Sequence, residues 1–454
     1  MLIHALLLLC LALWFQLAER PGREAAVLTL TSYPRDALDV GDLAAVDFRS
    51  PGGSPASPTQ AASVVIDTPR AATHSIDTFP VVPQQSMVSS RVLPQADWLA
   101  PSGMPTGGGL EGRSAGLKGR LLGARGGNRD SEAAVSRGLR WLAAHQRADG
   151  SWWCNHQDGP CQSLCRNPGD FASTTASTAL ALLPFYGAGH THRAGDFQEV
   201  VGSGLFYLGS QMIATPHGGD LQQGSMYGQG LAAIVLCEAY AMTGDENLHD
   251  FAQAEIDFIV HAQHVEGGWR YVPGQPGDTT VTGWQLMALK SAQMAKLDAP
   301  FDAVYRVTHF LDRVEADDGA RYGYQNTTAR QATTAVGLYC RMLAGWNRQH
   351  PSLQRGVAYL AELGPSPSDM YYNYYATQVL NHFDGPLWKR WNRQMRDQLL
   401  RDQASRGHEA GSWFYEHPHS AAGGRLFHTT LALMTLEVYY RYMPLYGTSV
   451  IDDF

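Results

Sequence analysis

Three stretches decide the fold: Leu142…Gln146…Gly150-Ser151-Trp152, Ile259…Gln263…Gly267-Gly268-Trp269, and Leu399…Gln403…Gly411-Ser412-Trp413. Each reads as an apolar residue, a glutamine four positions on, a glycine turn and a tryptophan. Glycine supplies the positive φ that stops a helix. Glutamine can bond backbone groups freed at that turn, and the indole covers the helix end as a large apolar lid. Weaker copies recur in the same phase at Tyr207…Gln211…Gly218-Gly219, Leu311…Glu315…Gly319 and Tyr359…Leu363. One copy means little; six in phase are a structural repeat.

The pattern predicts twelve helices in pairs. Helices near 131–147, 195–213, 247–263, 301–314, 351–363 and 387–404 are amphipathic and have one wet face. Helices near 171–186, 225–242, 279–296, 330–345, 369–383 and 425–442 are apolar nearly all round, as buried helices are. Six wet-backed helices outside six buried ones make an all-α fold, an α/α toroid of about six hairpins. Superimposing the second set puts a small residue at a shared fifth position: Thr175, Gly230, Gly283, Thr334 and Thr430, with Tyr375 the exception. Small residues there let inner helices approach closely.

The rest of the 454 residues reads differently. Leu2 to Leu17 is apolar except for His4 and Gln16, shorter than the ~20 residues that span a bilayer. With no basic start and no clear cleavage site, residues 1–20 read as a membrane anchor, a cleaved signal segment, or a longer span clipped by a mis-set start. Each places the remainder outside the cytoplasm, in the periplasm or cell envelope. Residues 21–127 are rich in Pro, Ser, Gly and Ala without helical or strand period, and are expected to be a disordered linker. The toroid is expected over 128–446, and 447–454 is a tail. With a net charge of −8 and no basic face, nucleic acid is excluded as a partner.

The Gln–Gly–Trp turns resemble the repeat of squalene and terpene cyclases and of protein prenyltransferase β subunits. Asp278-Thr279-Thr280-Val281-Thr282-Gly283-Trp284-Gln285 and Thr435-Leu436-Glu437-Val438-Tyr439-Tyr440-Arg441-Tyr442 resemble inner-helix signatures of bacterial prenyltransferase/squalene-oxidase repeat proteins. That resemblance implies a toroid with an apolar axial cavity binding or processing an isoprenoid or lipid. It does not carry over the chemistry. Class II cyclases use Asp-x-Asp-Asp, and here Thr280 stands where the proton-donating acid should be. The prenyltransferases hold zinc with an Asp, a Cys two residues on and a later His. Asp369 and His428 match two of these, but Tyr371 replaces the thiolate, so the zinc ligand set is incomplete. The Cys-Gly-Glu-Gln stretch of complement-like thioester domains is absent.

Asp278, Asp369, Tyr371 and His428 are therefore the catalytic candidates, with Asp369 and His428 as metal candidates. Tyr227, Trp284, Tyr372, Tyr375 and Phe427 are the cavity-lining candidates. Each has a plainer reading: Asp170, Asp278 and Asp369 as helix N-caps sharing one rim, His428 as a core histidine, the aromatics as packing. Cys154, Cys161 and Cys165, with His156 close in sequence, form either a loop disulfide or a small zinc knot. Two other functions stay open, a non-catalytic scaffold and a carbohydrate-active enzyme. The latter needs two carboxylates facing a cleft.

Overall fold

The computed structural model describes residues 109–446. The anchor or signal segment, most of the linker and the tail lie outside them. Among the described residues no helix is long and apolar enough to cross a membrane.

A short helix α1 (Ala115–Arg125) precedes the repeats. The outer helices are α2 (Arg129–Ala144), α4 (Gln198–Gln211), α6 (Glu246–Ala262), α8 (Phe301–Val314), α10 (Pro351–Leu363) and α12 (Gly385–Asp402). The inner helices are α3 (Thr174–Gly187), α5 (Met226–Thr243), α7 (Thr279–Met294), α9 (Gln331–Leu343), α11 (Met370–Phe383) and α13 (Ser420–Leu436). Two antiparallel ribbons, Ile213–Thr215 with Gly218–Asp220 and Glu315–Ala316 with Arg321–Tyr322, decorate the turns.

The inner helices touch in the order α3, α5, α7, α9, α11, α13 and then α3 again. The last outer helix, α12, likewise contacts the first, α2. The six hairpins therefore close into a ring. The shared small position behaves as expected: Thr175, Thr334 and Thr430 have no exposed surface. A methyl group on Gly230 would run into Gln285 of α7, and one on Gly283 into Val336 of α9.

The repeat residues form a latch. Gln146 Nε2 donates to Gly150 O and to Val200 O of α4, both at 2.9 Å. Gln263 Nε2 donates to Gly267 O (2.8 Å) and to Ala303 O of α8 (2.9 Å). Gln403 Nε2 donates to Gly411 O (2.8 Å) and to Ala134 O of α2 (2.9 Å). Each glutamine thus ties its own turn to the next outer helix, and the last ties back to the first. The tryptophans are equivalent too. Trp152, Trp269 and Trp413 give their indole N–H to the carbonyls of Leu142, Ile259 and Leu399. Their backbone N–H groups go to the hydroxyls of Thr178, Thr282 and Thr429 on the following inner helix. Gly150, Gly267 and Gly411 have φ of +87°, +96° and +97°, and each lies against a backbone carbonyl of the next outer helix, so a Cβ has no room.

Two boundaries differ from expectation. The ordered fold begins before residue 128. Arg125 of α1 donates to the carbonyl and side-chain oxygens of Asn381, and Met443 N donates to Gly109 O. This stretch is Gly-rich but holds enough Leu and Arg to dock, which composition alone obscured. The last inner helix is broken at Gly424 (φ 57°, ψ −155°) and ends at Leu436 rather than near 442.

Candidate functional site at the open rim

All inner helices start at one rim, and the predicted acids are found there in different roles. Asp278 caps α7: Oδ1 accepts from Val281 N (2.8 Å) and Thr280 Oγ1 (2.7 Å), while Oδ2 faces Arg270 Nε at 3.8 Å. Burial pushes its carboxyl above the usual carboxylate range, although these hydrogen bonds and Arg270 pull the other way. Thr280 Oγ1 also meets Tyr227 OH at 2.7 Å, and Tyr371 OH reaches Thr280 O at 3.5 Å. Sequence reasoning thus found residues that do meet, but they meet in a sealed network. Asp278, Thr280, Tyr227 and Tyr371 are all at most 2% exposed.

Asp369 caps α11, accepting from Tyr372 N at 2.9 Å, and burial raises its carboxyl pKa against the pull of His417 and His419. Asp170 is not a cap. Ser173 caps α3, and Asp170 lies exposed upstream, its N–H bonded to Ala421 O. His428 is a core histidine, caged by Phe414, Tyr415 and Phe427 with Nε2 3.4 Å from Ser420 Oγ. Burial lowers its pKa to about 3, so it is neutral at neutral pH.

The aromatic candidates pack on one another rather than on a void. Trp284 stacks with Tyr374 (5.8 Å between ring centres) and meets Tyr375 edge-on (5.7 Å). Tyr375 meets Tyr371 at 4.9 Å. Tyr372 turns outward against Trp391 of α12, its hydroxyl on Gly364 O. Phe427 borders a slit of about 10 Å³. At the other end of the ring a cavity of about 60 Å³ lies among Met287, Lys290, Met294, Tyr339, His382 and Leu445. Burial lowers the Lys290 amine to about 8.

Only an open groove at the rim, with about 560 Å³ of space, falls in the ~300–1,000 Å³ range of small-molecule sites among the cavities described here. Trp153, Asn155 and Asp158 from the loop after α2 form one wall. Pro168 to Thr174 and Ala421 complete it. The kink at Gly424 builds this wall. It frees the carbonyls of Ala421 and Ala422, which accept from Asp170 N and Phe171 N, while Asn167 O accepts from Arg425 N. Arg147 lies 3.9 Å from the centre of the Trp153 ring and donates to Asp158 O, which fixes the loop. Asn155 Nδ2 donates to Asp158 Oδ2 at 2.7 Å. Two carboxylates, Asp158 and Asp170, and two half-exposed aromatic rings, Trp153 and Phe171, therefore share one concave surface. Sequence analysis missed Trp153 and Asp158. The available signal was a second tryptophan beside the latch tryptophan, present in the first repeat only.

The three cysteines of this loop are buried free thiols, not a disulfide. Cys154 turns to Ser177 Oγ at 3.2 Å, away from the other two.

No protein family matches the chain, and no curated protein does. Among solved structures it is similar to the GH76A α-1,6-mannanase of Salegentibacter sp. HEL1_6, with 9% identity, 68% of this chain and 98% of that one covered, and a TM-score of 0.48. It is also similar to the type II terpene cyclase MstE from Scytonema, with 14% identity, 68% and 98% covered, and a TM-score of 0.46. The two differ in chemistry, and at these scores neither carries a conclusion about this chain.

Proposed function

We propose that the toroid, held outside the cytoplasm behind its apolar leader, binds a saccharide in the rim groove. The observation that carries the reading is the groove itself: open, ligand-sized, with two carboxylates and two aromatic faces on one wall. Aromatic faces stack on the C–H faces of sugar rings, and carboxylates and amides bond hydroxyls. If the protein is hydrolytic, Asp158 and Asp170 are the acid and base pair that glycoside cleavage needs. The test is calorimetric titration of the full chain with neutral and acidic oligosaccharides. Binding should be weakened at least tenfold by Trp153→Ala and by Asp170→Asn, and absence of binding to every sugar sinks the reading.

A second reading, an isoprenoid or lipid on the ring axis, is favoured by the Trp284–Tyr371–Tyr375 cluster. There the Tyr374 hydroxyl is buried without a hydrogen-bond partner. Occupation would require these rings to move apart. Native mass spectrometry of protein taken from membranes separates the two, since a retained lipid appears as added mass. If neither sugar nor lipid binds, the scaffold reading stands.

A further inference from the structure

Four side chains that the proposed function does not use converge beneath the groove loop. They are His145, just past the end of α2; Cys161 and Cys165; and His408, in the loop after α12. Their ligand atoms all lie within 4.8 Å of one another. Cys165 Sγ is 3.1 Å from His408 Nδ1 and 3.4 Å from His145 Nε2, and Cys161 Sγ is 3.8 Å from His408 Nδ1. A tetrahedral zinc with Zn–S of about 2.3 Å and Zn–N of about 2.0–2.1 Å has N···S edges of about 3.6 Å. The three measured edges bracket that value.

The surroundings are prepared for a metal. His145 Nδ1 lies 2.6 Å from Trp141 O. A carbonyl can only accept, so Nδ1 carries the proton and the Nε2 lone pair points at the sulfurs, the outer contact typical of metal-bound histidines. Cys165 N donates to Cys161 Sγ at 3.2 Å, which favours a thiolate. His145, Cys161 and Cys165 are at most 3% exposed. Cys165 Sγ is shared by two imidazoles, and one divalent cation at the centre would satisfy all four groups. Two thiolates balance its charge.

We propose that His145, Cys161, Cys165 and His408 form a structural Cys2His2 zinc clasp. All four positions are filled by protein, so no coordination site is left for substrate. The clasp joins the end of the first outer helix and the groove loop to the turn after the last outer helix. It therefore pins the seam where the ring closes and fixes the wall that carries Asp158 and Asp170. The sequence carries a trace of it. Gln and Gly are four residues apart in the first two latches and eight apart in the third, and the insertion contains His408. The proposal is independent of the saccharide reading.

The test is metal analysis of the full chain purified under reducing conditions. The expected result is about one zinc per chain, lost in Cys161→Ser/Cys165→Ser and retained in Cys154→Ser. His408→Ala, at an exposed position, is expected to weaken zinc at least tenfold even if the double variant fails to fold. Cobalt substituted into the wild-type protein should show thiolate charge-transfer and tetrahedral d–d absorption. Reduced wild-type protein without stoichiometric zinc overturns the proposal. So does zinc retained at full affinity in both variants, or a Cys161–Cys165 disulfide in the protein as isolated.

Discussion

The two ends of the ring are built from opposite materials. At the open rim, inner-helix starts are capped by side chains such as Ser173, Asp278 and Asp369, and a ligand-sized groove cuts the edge. At the far end, buried charges form a plug. Arg113 Nη1 lies 2.7 Å from Glu238 Oε2, Arg441 Nη2 lies 3.6 Å from the same oxygen, and Arg441 Nη1 lies 3.1 Å from Glu437 Oε2. Arg441 Nη1 also donates to Leu183 O, and Tyr442 OH donates to Glu238 Oε1. All four ionisable side chains are at most 3% exposed. Burial opposes ionisation of Glu238, but Arg113 and Arg441 outweigh it and hold the carboxyl below its usual range. The lesson is a division of labour. The plug uses long-range ion pairs to join Arg113 before α1, Glu238 of α5 and Arg441 after α13, while the rim holds the open groove.

Removing one partner of the plug should have the largest effect. Glu238→Ala strands the buried Arg113 guanidinium and removes one of the two carboxylates beside Arg441, and is expected to cost about 3–5 kcal/mol, measured by urea unfolding. A loss below about 1 kcal/mol would mean water reaches the plug. At the latches, Gln403→Ala leaves the Gly411 and Ala134 carbonyls short of a donor and should cost about 1–3 kcal/mol. Gln211→Ala, in a degraded copy whose half-buried side chain donates to the neighbouring Ser210 Oγ, should cost under about 0.5 kcal/mol.

The ends should also differ in the sign of their pH response. His428, on the rim side, has a folded pKa of about 3 against about 6.5 unfolded. Its contribution is complete above about pH 6.5 and is lost as pH falls toward 3. Glu437, in the plug, is pushed up to about 8 because burial outweighs Arg441, Lys118 and Arg113. Its contribution is complete below its unfolded value of about 4.3 and is lost as pH rises toward 8. Thermal melts across pH should therefore flatten on the acid side in His428→Asn and on the neutral side in Glu437→Gln. Smallest of all, Trp153→Ala should leave the melting temperature within about 2 °C of wild type, because the ring is half-exposed and packs on the loop surface rather than in the ring core.

The ring was legible in sequence because its signal is repeated. Gln146, Gln263 and Gln403 sit in one phase, and Gly230 and Gly283 mark close approaches between neighbouring inner helices. Asp278 and Asp369 were legible as caps for a local reason, since each bonds a backbone N–H three residues on. The rest depended on non-local geometry. The aromatic run 371–375 places Tyr372 outward and Tyr375 inward, a rotation that spacing alone leaves open. His408 is 243 residues from Cys165, and only ring closure brings them together. Arg113 lay in a segment whose composition suggested a tether, yet it anchors the plug.

Closure of the ring through the α12–α2 seam is the central claim. Distances between spin labels carried by unnatural amino acids, which leave the native thiols alone, test it most directly. Labels at the exposed Arg140 on α2 and Arg401 on α12 should give a narrow distribution suited to neighbouring helices, whose axes lie ~8–10 Å apart. That distance should be clearly shorter than the one between Arg140 and the exposed Tyr305 on α8, the outer helix opposite in ring order. A seam distance equal to or longer than the cross-ring distance would contradict closure.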